Sequence, residues 1–302
     1  MHEIKFDPTK VEEVEFPPDI SLNTEEEVVL EQVRQNIRRG LQQVIPFEVN
    51  TEIVALVCGG PSLKLPEIER KLVNAAWSGA KVVAVNGAYS WCIERNIRPT
   101  GMVMIDAREF NSRFVGPAVT NCKYFLASQC HPKAFELCRG RDVWLWHACS
   151  YGEKELSILD DYYLSPSPEE KDKLSHRHHF PITMGTTVAI RAIGVMRMLG
   201  FRRFKIFGLD SCWLGDDHHG YEQKENDGEV KYPIWVRPQG RDDLATRFIC
   251  SAWQIKQAQD FLDLVREHGE LFQLSVYGPG LIATMLRLGA TMETDPPPNK
   301  GD

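Results

Sequence analysis

No run of apolar residues in this 302-residue chain reaches the roughly 18 that a membrane-crossing helix needs. Met1 to Val14 is charged and has no signal-peptide core. The cytoplasm is therefore the expected compartment. Eight cysteines are scattered without a C-x-x-C pair, mostly in apolar contexts, so buried thiols are expected rather than disulfides or a zinc knuckle. There is no surplus of basic charge either. A net charge of −7 argues against a general field for nucleic-acid backbones or anionic membranes, although a local basic groove is compatible with it, and a nucleic-acid acceptor stays open. The chain also lacks a P-loop, a G-x-G-x-x-G fingerprint and a G-x-S-x-G elbow, which disfavours the common kinases, dehydrogenases and hydrolases.

What is present is a rhythm. After Pro46, short apolar runs alternate with helical patterns: Ile53 to Val57, Lys81 to Val85, Met102 to Ile105, Tyr124 to Ala127, Val143 to Trp146 and Phe204 to Phe207, with Phe272 to Tyr277 near the end. Strands separated by helices of about a dozen residues predict an α/β, Rossmann-like, mostly parallel sheet with helices on both faces. A helical arm over residues 1–47, with Val28, Val29, Val33, Ile37 and Leu41 at helical spacing and Asn23 or Thr24 as its cap, would precede a domain at 48–290. Within that domain, residues 150–181 and 211–245 read as mobile inserts, and residues 291–302, with three consecutive prolines, as a disordered tail. A helix is expected from about Thr246 to His268.

In such sheets ligands bind beyond the carboxyl ends of the strands. Gly59, Gly60, Pro61 and Ser62 follow the first strand and open a helix, so the turn predicts an anion site built from free N–H groups. Asn86 and Gly87 end the second strand, Asp106 the third, and Asp210 follows Phe207; all would gather on one rim. Thr183, Gly185, Thr186 and Thr187 precede the apolar helix Val188 to Leu199 and repeat the logic of the first turn. Asp106 and Asp210 suit a ribose hydroxyl, a divalent cation such as Mg²⁺, or a helix cap.

The loop after Asp210 carries Trp213, Asp216, Asp217, His218, His219 and Tyr221, with Arg237 beyond it. A histidine there would serve as general base with an aspartate fixing its tautomer. The rival readings are a metal site helped by His176, His178 and His179, or solvated loop histidines. The aromatic residues, with Tyr232 and Trp235, would form a platform for a base or an acceptor, and Arg237, Arg241 and Arg247 would close on phosphates. Trp144 and Trp146 read as strand core.

Val57 to Leu63, Val85-Asn86-Gly87, the strand ending in Asp106, and Gly185 to Ala189 running through Leu199-Gly200-Phe201 to Asp210 together resemble the MptE-like superfamily. That group includes archaeal 6-hydroxymethylpterin diphosphokinases and the Maf flagellin glycosyltransferases, and is more distantly similar to bacterial sialyltransferases. The resemblance spans about residues 50 to 220. It implies that Gly60, Pro61, Ser62 and Asn86 contact the phosphates and sugar of a nucleotide and that Thr183, Gly185 and Thr186 hold it from the facing helix. It places Asp106 near the transferred group and makes His218 or His219 the base. Met184 stands where the sialyltransferase pattern has a small hydroxyl residue. The leading expectation is a transferase acting on a nucleotide-sugar donor, CMP- or UDP-linked, with a glycan, protein or hydroxymethylated-base acceptor. The alternatives are a Mg²⁺-dependent pyrophosphokinase using ATP and a non-catalytic nucleotide-binding or assembly module. The sequence leaves the oligomeric state open.

Overall fold

The computed structural model describes residues 24–171, 178–226, 228–237, 244–288 and 291–293. In chain order the elements are α1 (Glu26–Ile37), β1 (Gln42–Gln43), β2 (Ile53–Val57), α2 (Pro66–Trp77), β3 (Lys81–Val85), α3 (Ala88–Glu94), β4 (Gly101–Met104), β5 (Lys123–Ala127), α4 (Pro132–Leu137), β6 (Asp142–Trp146), α5 (Glu153–Tyr163), α6 (Pro168–Lys171), α7 (Val188–Met198), β7 (Arg203–Phe207), β8 (Lys231–Arg237), β9 (Thr246–Ser251), α8 (Ala252–His268), β10 (Gln273–Tyr277), α9 (Leu281–Leu288) and β11 (Thr291–Glu293). Eight strands form one parallel sheet in the order β1-β6-β5-β4-β3-β2-β7-β10. The α/β class and the parallel sheet flanked by helices are as the sequence predicts.

Strands covered on both faces carry continuous apolar runs rather than alternation, and Val54 to Val57, Val82 to Val85 and Met102 to Met104 are all buried. Helix α7 is buried from Ala189 to Met196, on every side, because it packs against β3, β4 and α8. All eight cysteines are free and buried. Among the described residues no helix is long and apolar enough to cross a membrane.

Four stretches differ from the sequence expectation. The insert at 150–181 holds α5, whose buried Glu155, Leu159, Tyr162 and Tyr163 fall at helical spacing; residues 172–177, with His176, lie outside the described residues. The 211–245 segment is not one long loop. β8 pairs antiparallel with β9 and with β11, with Ile234, Val236, Phe248 and Cys250 turned inward at period two. Arg241 lies outside the described residues. The helix expected from Thr246 starts at Ala252, because Thr246–Ser251 is that strand and Ser251 with Gln254 forms a capping box that begins α8. Residues 291–293 of the expected tail pair with β8, and residues 294–302 lie outside the described residues. At the other end, residues 1–23 are also outside them. Helix α1 takes Glu25 as its N-cap instead of Asn23 or Thr24, and β1 joins the arm to the main sheet beside β6.

Candidate functional site

The chain leaves β2 to build β3 to β6 on one side of it, then returns to place β7 and β10 on the other. The connections after β2 and β7 therefore diverge, which opens a crevice at their carboxyl ends. Gly60 N–H donates to Gly208 O at 2.7 Å, and Ser62 N–H donates to the Asp210 carboxylate at 2.8 Å. Leu281 N–H donates to Asp210 O at 2.8 Å, so three connections meet on this aspartate. A Cβ at Gly60 would overlap the Asp210 carboxylate and lie 2.5 Å from Gly208 O. Burial pushes Asp210 up to about 6, with the hydrogen bond from the Ser62 N–H drawing it back down. The first turn differs from expectation here. Its Gly60 and Ser62 N–H groups, and that of Leu63, which donates to Gly60 O, are engaged within the protein. The chain needs Asp210 to join the two strand ends, and those donors serve that joint.

The start of α7 is the opposite case. Thr187 is its N-cap with no side-chain bond to the helix, so the first-turn N–H groups of Val188 and Ala189 have no cap. Thr186, Thr187, Val188 and Ala189 all line the cleft. The Thr186 N–H and hydroxyl both donate to Asp260 of α8, at 2.7 and 2.6 Å, and Gln257 Nε2 donates to the Thr187 hydroxyl at 2.8 Å. Thr183 and Gly185 fall on a separate groove behind this wall, with Arg197 and Asp263. Gly185 has φ +68°, and a Cβ there would meet Ile190, so its glycine serves the turn itself.

Across the cleft, Asn86 has φ +44° and its Oδ1 is buried with no donor among the described residues. Asp106 lines the same wall in a bidentate pair with Arg108, at 3.1 and 2.8 Å, and accepts the Arg108 N–H at 3.0 Å. Gly59 and Gly87 make room for one ring: a Cβ at either would lie 2.7 Å or closer to Tyr221. Among the described residues no group of three or more His, Cys, Asp or Glu could hold a metal ion.

His218, His219 and Tyr221 roof the cleft. His218 is buried and stacks on Trp213 with centroids 4.6 Å apart, and it meets His219 edge-on at 4.7 Å. His219 also lies 5.6 Å from the Tyr221 ring and 6.0 Å from Trp253. Burial pushes His219 down to about 3, with the neighbouring His218 adding to the effect. Its imidazole is neutral at neutral pH. Asp217 pairs with Lys64 at 2.5 Å and Asp216 is exposed. Trp213, Asp216, Asp217 and Arg237 stand outside the cleft wall, Trp213 with its Nε1 donating to Ser251 Oγ.

The cleft has a volume of about 720 Å³. The sequence reading missed its α8 wall: Trp253, Gln254, Lys256 and Gln257 line it. The Ser251-x-x-Gln254 capping box was the available signal for that helix start. Gln129, Ser150 and Tyr151 complete the side beneath α1.

The sheet order and the cleft at its switch point define a doubly wound α/β protein of the Rossmann type. The sequence matches the family described as 6-hydroxymethylpterin diphosphokinase MptE-like over residues 28–216, more than half of the chain, and the chain belongs to that family. Among solved structures it is similar to a MAf glycosyltransferase from Magnetospirillum magneticum AMB-1, with a TM-score of 0.56 and 15% sequence identity over 90% of this chain and 40% of that one. The chain thus spans less than half of that protein's length, and the likeness is one of fold. No curated protein sequence matches the chain. Both names denote transferases.

Proposed function

We propose that this chain is a nucleotide-dependent transferase that moves a sugar from a nucleotide-sugar donor, CMP- or UDP-linked, to an acceptor hydroxyl. The observation that carries this reading is the pairing of two walls across one cleft. The uncapped start of α7 offers N–H groups to the anionic end of a ligand, and the buried Asn86 Oδ1 lacks the donor that a ribose hydroxyl or a base amino group would supply. Charge that develops on a leaving phosphate is stabilised by such fixed N–H dipoles without reorganisation. His219 on the roof, whose buried Nδ1 has no partner among the described residues, is placed to accept the acceptor's proton once a bound anionic ligand raises its basicity above the resting value near 3.

The family description supports a second reading, a diphosphokinase acting on a hydroxymethyl heterocycle. In that case Asp106 would exchange an Arg108 contact for a Mg²⁺ ion, and the roof rings would stack the heterocycle. A thermal-shift panel of CMP, CDP, UDP, GDP, ADP and ATP, each with and without Mg²⁺, tests both. A nucleotide at about 100 times its dissociation constant stabilises by about 2.7 kcal/mol. A metal-independent shift with a pyrimidine nucleotide supports the sugar transferase, whereas an ATP shift that requires Mg²⁺ supports the diphosphokinase. Silence across the panel would overturn both and leave a binding or assembly module.

A further inference from the structure

Among the described residues lining the cleft, the cationic side chains are Arg108 and Lys256. The Arg108 guanidinium gives two hydrogen bonds to Asp106 and lies 4.8 Å over the Phe110 ring, so it is held on two sides. Lys256 is different. It lies one turn before Asp260 on α8, its ammonium is bound to one Asp260 oxygen, and its side chain remains 43% exposed beside the cleft. The other Asp260 oxygen receives the Thr186 N–H and hydroxyl. The Asp260 side chain is 5% exposed and fixed from both sides. One buried carboxylate thus sets the position of a cation and of the turn that begins α7.

We propose that Lys256 is the side chain that meets the phosphate groups of the ligand, and that Asp260 is the positioning residue that holds Lys256 and Thr186 in register. This rests on the nucleotide reading given above and names the end of the cleft that takes the phosphate groups. Asp260 neutralises Lys256 in the resting cleft and orients it. An incoming phosphate adds a second anionic partner to an ammonium that has three donors, so the Asp260 contact need not break. The neighbouring Gln257, which joins Ser211 Oγ to Thr187 Oγ1, keeps the same turn in place without adding charge.

The test is calorimetric titration of the full chain with inorganic pyrophosphate, with CMP, ADP, GDP, CDP and UDP, and with the four matching nucleosides. Loss of one charge-assisted contact predicts that Lys256→Met weakens pyrophosphate and diphosphate binding by about tenfold or more, with nucleoside binding unchanged. Lys256→Arg, which keeps the charge, is expected to restore binding to within about threefold. Asp260→Asn retains an acceptor for Thr186 and loses the charge that orients Lys256, so it should fall between the two. Lys256→Met also takes a partner from the buried Asp260 carboxylate, so a urea melt of each variant beside the titration separates a binding loss from a folding loss. If Lys256→Met binds pyrophosphate and every diphosphate as the wild type does, the inference is overturned while the nucleotide reading stands. Lys256-dependent pyrophosphate binding without any nucleotide binding would uphold the inference and overturn the nucleotide reading. No binding of either by the wild type overturns both.

Discussion

The Ser62 N–H and the Asp210 carboxylate, 148 residues apart in sequence, are joined by a 2.8 Å hydrogen bond that ties the end of β2 to the end of β7. Gly60 is what lets them meet, since a side chain there would occupy the space of the Asp210 carboxylate. Gly60→Ala is therefore expected to cost about 3 kcal/mol in urea denaturation, at the upper end of ordinary single substitutions. Gly140→Ala is a contrast: a Cβ there meets nothing within 4 Å, and only its φ of +78° opposes the change. A Gly60→Ala loss no larger than that of Gly140→Ala would show that the turn relaxes away from Asp210.

Asp210 also makes stability depend on pH. Its carboxyl titrates near 6 in the fold against an ordinary 3.8, so the folded chain holds this proton more tightly than the unfolded one. The resulting stabilisation is complete below pH 3.8 and is lost as pH rises through 6. Asp210→Asn cannot ionise and keeps an acceptor for Ser62. Between pH 4 and 7.5 the wild type should lose on the order of 2 to 3 kcal/mol relative to this variant. Parallel curves for the two proteins would mean that Asp210 is charged throughout.

Those two residues also show how much of the site was legible. The period of apolar runs marked β2 to β7, because strands covered on both faces are close to continuously apolar, and the shorter apolar pattern of Phe272 to Tyr277 marked the edge strand β10. The strand ends then placed Gly59, Asn86, Asp106 and Asp210 on one rim without further information. Which donors stay free was not legible. Whether Ser62 N–H faces a ligand or Asp210 depends on the β2–β7 pairing, a contact remote in sequence. The α8 wall was hidden for a similar reason. Gln254 and Gln257 look like surface residues in a helical stretch until the fold buries them. β8 and β9 show an alternating pattern, but Pro233 and the polar residues between them obscure it.

Tyr221 takes up the space that Gly59 and Gly87 leave bare over the ends of β2 and β3. A Cβ at Gly87 would lie 2.5 Å from Tyr221 Cε2. The backbone at Gly87, with φ −61°, is one any residue adopts, so the cost of Gly87→Ala is steric and specific to that ring. A double-mutant cycle of Gly87→Ala with Tyr221→Ala should give a coupling of about 1 kcal/mol or more, with the alanine tolerated once the ring is gone. Additive losses would mean that Tyr221 moves aside freely, and that the roof is loosely held before any ligand arrives.

His219 supplies the opposite pH dependence on the same roof. Burial takes its imidazole from an ordinary 6.5 down to about 3, so folding releases a proton at acidic pH. The stability it contributes is present above pH 6.5 and is lost as pH falls toward 3. His219→Phe keeps a ring beside Tyr221 and Trp253 and removes the titration. Below pH 6.5 it should flatten the fall in stability by up to about 1.4 kcal/mol per pH unit. His147, fully buried near His179 and also pushed down to about 3, contributes the same slope from outside the cleft lining, so a His147→Gln variant measures that share separately. The two residues differ in what a nucleotide does to them. A nucleotide bound in the cleft should change the slope that His219→Phe removes and leave the His147 slope as it was. Equal changes in both would mean that the nucleotide acts on the whole fold instead of on the cleft beneath His219.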